Sequence, residues 1–148
     1  MYYHITVCGV NHYEMAIGDF INITSPNYPE FYFDNQNCTW IFSSSQNGSY
    51  LVEIYDLVLD GLVGRGDEFV IGRSGISSEI DILRTSYFIA PDTTILIDDN
   101  VIWMTFQSGD RVQSKGFQIG ITMIDTNSKC KQTSHALGYK ITNYIILI

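Results

Sequence analysis

The chain has 148 residues, which is enough for one domain with a substantial hydrophobic core. It carries 16 acidic and eight basic side chains and a formal net charge of −8, which argues against nucleic acid as a partner and against binding to anionic membrane surfaces. Ten tyrosines, eight phenylalanines and 12 glycines, without a long amphipathic run of helical period, indicate strands and turns rather than helices.

Alternation of apolar and polar residues predicts a series of short strands along the chain. In chain order they are residues 20–24, 39–42, 50–54, 69–71, 94–97, 101–106 and 117–123. Leu57 and Leu59 continue the apolar series of the third strand after a break. Because short strands separated by turns build two packed antiparallel sheets, the fold class that we expect is an all-β sandwich.

The segments between these strands predict turns and loops. Gln-Asn-Gly-Ser at residues 46–49 and Asp-Asp-Asn at residues 98–100 are typical of hairpin turns. The glycine-rich stretch at residues 61–66 precedes a strand rather than a helix, so it predicts a flexible loop and not a nucleotide-binding loop. Residues 76–90 show no clear period, and a short helix is one interpretation of them.

The two ends of the chain differ from the part between them. Residues 1–7 lack the basic start and the apolar core of a signal peptide. The apolar residues 144–148 are far fewer than the roughly 20 that a bilayer span needs, so we expect no membrane span within this chain. They are compatible with the start of a longer apolar segment, with an extra edge strand, or with non-native sequence.

Three Asn-x-Ser/Thr sequons favour an extracellular protein over a cytosolic one with three reduced cysteines. Asn47 is the best candidate for glycosylation, because it lies in a predicted exposed turn, and Asn22 is the second. Asn37 directly precedes a cysteine, and we expect it to be a poor acceptor.

No sequence pattern of a common catalytic site is present. The three histidines lie near the ends of the chain, and neither His-Glu-x-x-His nor Gly-x-Ser-x-Gly occurs. Cys130 and His135 are not accompanied by a third group that could orient them as a nucleophile and a base. We therefore expect that the chain is not an enzyme.

The passage from residue 8 to residue 40 is the most informative part of the sequence. Its motifs are Cys8-Gly9, Gly18, Ser-Pro-Asn-Tyr-Pro at residues 25–29, Phe31-Tyr32, and Cys-Thr-Trp at residues 38–40. These motifs resemble the CUB domain, an extracellular β-sandwich module that binds partners and does not catalyse. Three later motifs resemble the same family: residues 67–71, residues 106–108 and Gly116-Phe117.

The resemblance implies a CUB-like jelly roll at residues 8–125. Residues 1–7 are then an N-terminal flank, and residues 126–148 are a tail or the start of a following segment. We expect an extracellular location, either as a secreted protein or as the ectodomain of a larger one.

The resemblance also implies a disulfide between Cys8 and Cys38, which leaves Cys130 over. Closing a loop of 30 residues stabilises the fold by roughly 3–4 kcal/mol on the loop-entropy model. A typical CUB domain has a second disulfide, but its expected positions near Gly64 and Ser86 hold no cysteine here.

Many CUB domains hold Ca²⁺ in a site built from a glutamate, two aspartates and a supporting tyrosine. By position, the resemblance assigns the ligand roles to Asp60, Asp67 and Asp110 and the supporting role to Tyr32. Asp60 is one methylene shorter than the usual glutamate, and Asp110 is displaced by one residue because Gly109 takes the expected place. Ca²⁺ prefers about six to eight oxygen ligands, so these carboxylates must converge from separate loops. The competing interpretation is that they are solvated turn residues.

The function that the resemblance implies is extracellular, non-catalytic recognition through protein–protein interaction. In Ca²⁺-type CUB domains a basic side chain of the partner pairs with the ligand carboxylates, so the expected partner presents Lys or Arg. One alternative is an accessory domain of a secreted astacin-type or complement-type protease. Another is a glycan-binding, adhesin-like module.

The aromatic residues bear on the glycan alternative. Trp40 and Trp103 lie within apolar strands, so we expect both in the core. Tyr28, Tyr32 and Phe33 are the better candidates for an exposed aromatic patch.

Overall fold

The computed structural model describes residues 8–61, 66–74, 79–110, 112–125 and 144–146. These residues form ten strands and no helix. In chain order the strands are β1 (Val10–Glu14), β2 (Phe20–Thr24), β3 (Asn37–Ser43), β4 (Gly48–Val58), β5 (Glu68–Ser74), β6 (Glu79–Thr85), β7 (Thr93–Ile97), β8 (Val101–Gln107), β9 (Gly116–Asp125) and β10 (Tyr144–Ile146).

The strands are arranged in two sheets of five strands each. The first sheet has the order β1-β3-β8-β5-β6, and the second has the order β10-β7-β4-β9-β2. Neighbouring strands are antiparallel, except that β1 is parallel to β3 and β10 is parallel to β7. The all-β sandwich expected from the sequence is therefore confirmed.

Residues 79–85 form strand β6, so the interpretation of a short helix in this region is wrong. Strand β6 pairs with β5, and their register shifts between Ile71 and Gly72. A bulge of this kind interrupts the period of two along a strand pair, which explains why the sequence showed no clear period here.

The chain passes from one sheet to the other at most of its turns. Among the described strands, β5 and β6 are the only consecutive pair that hydrogen-bond to each other. The turns at residues 46–49 and 98–100 each join strands of different sheets, so the expectation of hairpins at these two places is wrong. A turn sequence specifies that the chain reverses, whereas the pairing partner of each strand is set by long-range packing.

The core lies between the facing sides of the two sheets and is rich in aromatic rings. The ring of Phe117 is at its centre, with its centroid 5.7 Å from Trp40, 4.8 Å from Phe69 and 5.3 Å from Phe106. Each of these side chains is at most 7% exposed, and burial of one such side chain contributes about 1.5–3 kcal/mol. The prediction that Trp40 is part of the core is confirmed.

Trp103 lies on the outer side of its sheet, so the expectation that it is a core residue is wrong. In β8 the fully buried side chains are Ile102, Met104 and Phe106, and Trp103 alternates with them and is half-buried. Successive side chains of a strand point to opposite faces. Because β8 has apolar residues on both faces, its sequence does not indicate which face is inside.

A bulge in β4 changes which side chains of the strand face the core. The pairing with β9 skips Tyr55, so that Ile54 pairs with Ile119 and Asp56 with Gln118. Side chains at even positions face the core before the bulge, and Leu57 and Leu59 face it afterwards. The break in the apolar series is therefore this bulge, and it brings the end of β4 to the loops at one end of the sandwich.

Cys8 and Cys38 form a disulfide, with their Cα atoms 4.8 Å apart. It ties the start of the described chain to β3, beside the parallel pairing of β1 with β3. Residues 1–7, 126–143 and 147–148 lie outside the described residues, and so do Cys130 and residues 62–65 of the glycine-rich stretch.

Residues 144–146 form the edge strand β10, paired with β7. Within the described segments, no helix has the length and the apolar character that crossing a membrane requires.

Candidate functional site

Three connecting segments meet at one end of the sandwich: the loop between β2 and β3, the end of the β4–β5 connection, and the loop between β8 and β9. Hydrogen bonds join them, from the Tyr32 backbone N–H to the Ser114 carbonyl oxygen at 3.1 Å and from the Gly109 backbone N–H to Asp67 Oδ1 at 2.6 Å. We call the residues Tyr32, Asp60, Asp67 and Asp110 at this end the acidic end.

Tyr32 is the centre of the acidic end. Only 1% of the residue is exposed, so the expectation that it belongs to an exposed aromatic patch is wrong. Its hydroxyl donates a short hydrogen bond to Asp67 Oδ2 and accepts one from the Asp60 backbone N–H at 3.2 Å. Burial, reinforced by the hydrogen bond to Asp67, raises the pKa of Tyr32 well above its ordinary value. Tyr32 is therefore a neutral donor at any physiological pH.

The other two aromatic candidates lie near Tyr32 in sequence but differ from it in exposure. Phe33 is 55% exposed, as expected for a surface residue. Tyr28 is half-buried, and its hydroxyl donates a hydrogen bond to Asp56 Oδ2 at 3.1 Å. Of the three, only Phe33 presents its ring freely.

Asp67 is a buried carboxylate, 5% exposed, that directly precedes β5. Its two oxygens accept hydrogen bonds from different loops, Oδ2 from Tyr32 and Oδ1 from the Gly109 backbone N–H. Hydrogen bonds to a charged group are worth more than neutral ones, so these two contacts offset part of the cost of burying the charge.

Asp60 supplies the second carboxylate, two residues after β4 ends at Val58. Its backbone N–H contacts the Tyr32 hydroxyl, which places Asp60 and Asp67 on the same tyrosine. Its Oδ2 is buried and has no hydrogen-bond partner among the described residues. A buried carboxylate oxygen without a partner is costly, so this atom favours a cation or a proton beside it.

Asp110 does not join the other two carboxylates in this conformation. It is exposed, one residue beyond the Gly109 N–H that contacts Asp67. In the part of the chain that the structure describes, no three acidic, histidine or cysteine side chains are grouped closely enough to hold a metal. The structure thus brings together Tyr32, Asp60 and Asp67 and leaves Asp110 at the rim.

Gly116 and Ser25 support the acidic end, and the sequence did not single out either for that role. Ser25 and Phe117 exchange two hydrogen bonds of 3.0 Å, from the Ser25 N–H to the Phe117 carbonyl oxygen and from the Phe117 N–H to Ser25 Oγ. Gly116 has a φ of +84°, and a Cβ there would collide with Ser25 Oγ and lie 3.3 Å from Tyr32 Cδ1. Only glycine fits this position without strain.

Ser108 joins the loop that precedes β3 to the loop that follows β8 through two hydrogen bonds. Its hydroxyl donates to the Phe33 carbonyl oxygen at 2.7 Å and accepts from the Gln36 N–H at 2.8 Å. The Asn35 N–H donates to the Gly109 carbonyl oxygen at 2.8 Å in the same place. These hydrogen bonds join the loop that carries Gly109 and Asp110 to the segment that carries Tyr32.

The candidate glycosylation sites lie away from the acidic end. Asn22 is exposed on β2, at the edge of the second sheet. Asn47 is exposed in the turn between β3 and β4, and the hydroxyl of its sequon partner Ser49 is buried, with Ser49 Oγ donating to Asp98 Oδ1 at 3.1 Å.

The chain is similar to known proteins. A family model described as CUB domain matches residues 8–120. Ovochymase-2 from Mus musculus is 28% identical over 102 residues, which is 69% of this chain and 17% of that protein. Signal peptide, CUB and EGF-like domain-containing protein 2 from Mus musculus is 25% identical over 123 residues, which is 82% of this chain and 12% of that protein.

One solved structure similar to this fold is the MASP-1 CUB2 domain bound to Ca²⁺, with a TM-score of 0.59 and 16% identity. The likeness covers 76% of this chain and 96% of that one. The chain spans 17% and 12% of the length of the two relatives named above. Since the family match extends over most of the chain and the sandwich agrees with it, the chain belongs to the CUB domain family.

Proposed function

We propose that this chain is an extracellular, non-catalytic recognition module that binds a protein partner through the acidic end. The observation that carries the proposal is the position of the buried Tyr32 hydroxyl, which contacts both the carboxylate of Asp67 and the backbone N–H of Asp60. Membership of the CUB family and the Cys8–Cys38 disulfide support the extracellular location, because disulfides persist in oxidising compartments.

The acidic end fits a calcium ion through Asp60 and Asp67, with Asp110 completing the set. The unpartnered, buried Oδ2 of Asp60 supports this assignment, and so does the Ca²⁺-bound state of the structurally similar MASP-1 CUB2 domain. Asp110 reaches the set by rotation of the backbone at Gly109, which a glycine permits. When bound, Ca²⁺ supplies the positive charge that allows several carboxylates to lie together.

The partner chemistry that suits this site is a lysine or arginine side chain. Asp110 is exposed at the rim, while Asp67 is held in place by Tyr32 and by the Gly109 N–H. A charge-assisted pair with a basic side chain provides orientation and a fast encounter rather than a large apolar interface. If the chain is an accessory domain of a secreted protease, its proposed role is still to bind a partner, and catalysis belongs to another domain.

Calorimetric titration with Ca²⁺ tests the site directly. The protein stripped with a chelator is expected to bind Ca²⁺ with measurable heat and to melt at a higher temperature once it is loaded. Asp60→Asn is the sharpest variant, because Asp60 Oδ2 has no hydrogen-bond partner among the described residues and the change removes a charge while keeping the shape of the side chain. We expect Asp60→Asn to weaken Ca²⁺ binding about tenfold or more while the stability of the metal-free protein changes little.

Asp19→Asn is the matched control, because Asp19 is an exposed acid outside the three segments that form the acidic end. It is expected to leave Ca²⁺ binding unchanged. Equal Ca²⁺ affinity in Asp60→Asn and Asp19→Asn would refute the assignment.

Partner binding is tested with an array of extracellular proteins. Binding of a partner is expected to disappear on chelation and in Asp60→Asn, and to persist in Asp19→Asn. Replacement of one lysine or arginine of the partner by alanine is expected to have the same effect as chelation. Partners that bind equally well without Ca²⁺ and to Asp60→Asn would overturn the proposed role of the acidic end.

A further inference from the structure

A groove runs along the outer side of the first sheet, across β3, β8 and β5. Its volume is about 650 Å³, which is within the range of ligand-binding clefts. Its lining includes Asn37, Thr39, Val70, Trp103, Thr105 and Gln107, and we call this surface the outer groove. The outer groove lies on a sheet face, and at one end its lining residues Glu68 and Gln107 adjoin the loops of the acidic end. The inference below uses none of the carboxylates of the acidic end, so it is tested separately from the proposed function.

Trp103 gives the outer groove an aromatic platform. Its indole ring lies directly over Gly72 of β5, where any Cβ would collide with the ring. An aromatic ring over a glycine protects the backbone of a sheet, which accounts for the contact with Gly72. That contact leaves the indole half-buried beside Val70, Thr39 and Thr105, with its Nε1 buried and part of the ring at the surface.

The other groups of the outer groove suit a neutral ligand that carries hydroxyls. No hydrogen bond among the described residues involves the side chains of Thr39, Thr105 or Gln107, so their donors and acceptors are available. The charged side chains Glu68 and Arg84 pair with each other at 2.6 Å, and Arg84 also pairs with Asp81 at 2.8 Å, so these charges are engaged within the protein. An aromatic face bordered by hydroxyls and an amide is the chemistry that binds a sugar ring.

Asn37 lies at one end of the outer groove. Asn37 and Thr39 are the first and third residues of a glycosylation sequon, and both face the groove. Cys38 between them is fully buried and forms its disulfide on the opposite side of the strand. The crosslink therefore does not cover the side-chain amide of Asn37, which is exposed and takes part in no hydrogen bond among the described residues.

We infer that Asn37 carries an N-linked glycan whose inner sugars lie along the outer groove and stack on Trp103. The ring of Trp103 is opposite Ile41 of β3, four residues from Asn37, and four residues of a strand span about 13 Å. A few sugar units cover that distance. The occupant of the outer groove is thus the carbohydrate attached to this same chain.

The attachment requires a lipid-diphosphate-linked oligosaccharide, the donor used in the secretory pathway. The bond from the anomeric carbon to the phosphate oxygen breaks, and a bond from that carbon to the Asn37 amide nitrogen forms. The lipid diphosphate leaves with the bonding electron pair, and one amide proton is released to a base. No oxidant or reductant is needed.

The experiment uses the full chain secreted from animal cells. Mass spectrometry of the peptide that contains Asn37 is expected to show glycan on most molecules. The chain has two tryptophans, and Trp40 is only 7% exposed, so quenching of fluorescence by acrylamide reports on Trp103. We expect quenching to be about twofold stronger after the glycan is trimmed to its first sugar, because the indole is then uncovered.

Four variants separate the glycan from the fold. Thr39→Ala removes the sequon and is expected to quench like the trimmed protein, whereas Thr39→Ser keeps the sequon and is expected to behave like the parent. Asn47→Gln removes a sequon outside the groove and is expected to change nothing. Trp103→Phe, which removes the reporting indole, is expected to abolish the difference between trimmed and untrimmed protein.

Three outcomes would overturn the inference. The first is an unmodified Asn37, whether or not Asn22 and Asn47 carry glycan. The second is a modified Asn37 with equal quenching of Trp103 before and after trimming. The third is protection of Trp103 by an added chitin oligosaccharide in a parent chain whose Asn37 is bare, since the groove would then be a receptor for a free glycan.

Discussion

Replacement of Tyr32 by phenylalanine is the perturbation that most directly probes the packing of the acidic end. The change removes one buried hydroxyl and leaves the ring, which packs edge-on against Phe106 at 5.1 Å. Asp67 keeps only its hydrogen bond from the Gly109 N–H, and the Asp60 N–H loses its acceptor. A hydrogen bond to a charged group contributes about 1.5–3 kcal/mol, so we expect Tyr32→Phe to lower the free energy of unfolding by that amount.

Tyr50→Phe is the matched control. Tyr50 is as buried as Tyr32, but its hydroxyl donates to a neutral acceptor, the Asn100 carbonyl oxygen, at 3.2 Å. The expected loss is about 0.5–1.5 kcal/mol, because the acceptor carries no charge.

Urea unfolding of both variants, with a chelator present so that bound metal does not contribute, measures the difference. The midpoint should shift without a change in the slope, and the melting temperature of Tyr32→Phe should fall by roughly 3–12 °C at about 2–4 °C per kcal/mol. A loss in Tyr32→Phe no larger than that in Tyr50→Phe would refute the description of Asp67 as a charged acceptor held by Tyr32.

Three further predictions concern stability. Gly116→Ala is expected to lose about 1–3 kcal/mol in urea unfolding, because φ is +84° and the Cβ collides with Ser25 Oγ, whereas Gly9→Ala, with open space around the Cβ, should lose little. Reduction of the Cys8–Cys38 disulfide is expected to lower stability by roughly 3–4 kcal/mol, and a loss below about 1 kcal/mol would contradict the loop-entropy model. Burial chiefly raises the pKa of Tyr50 from 10.0 to about 12, so the folded state keeps a proton that the unfolded state has lost. Stability should therefore fall as the pH rises between these values, and Tyr50→Phe should flatten that fall.

A strand could be predicted from the sequence where apolar and polar residues alternate without interruption. In β9 the buried residues Phe117, Ile119, Ile121 and Met123 alternate without interruption, so the period of two is visible in the sequence alone. In β6 the bulge beside Gly72 breaks the alternation, and the strand was missed. A bulge depends on the pairing of two strands, so the sequence of one strand does not distinguish it from the end of a strand.

The inward face of β8 was not predictable for a related reason. Both faces of this strand carry large apolar side chains, Met104 and Phe106 inside and Trp103 outside. Hydrophobicity alone predicted burial for Trp103. The face is decided by the pairing with β3 and β5, which are distant in sequence.

Of the candidate site, the sequence predicted side chains but not the backbone contacts that hold them. The family resemblance indicated Tyr32, Asp60, Asp67 and Asp110, and the structure brings the first three together and leaves Asp110 exposed. It did not indicate the contact of the Gly109 N–H with Asp67 or the need for glycine at position 116. Backbone donors and positive φ angles depend on the path of a loop, which residue types alone do not specify.

The most direct test of the central claim is a crystal structure of the Ca²⁺-loaded protein with anomalous diffraction recorded at a wavelength where calcium scatters. We expect one strong peak within about 2.3–2.6 Å of carboxylate oxygens of Asp60 and Asp67, with Asp110 turned inward to join them. A peak located elsewhere on the molecule, or none at millimolar Ca²⁺, would contradict the claim that these loops form a cation site for a basic partner.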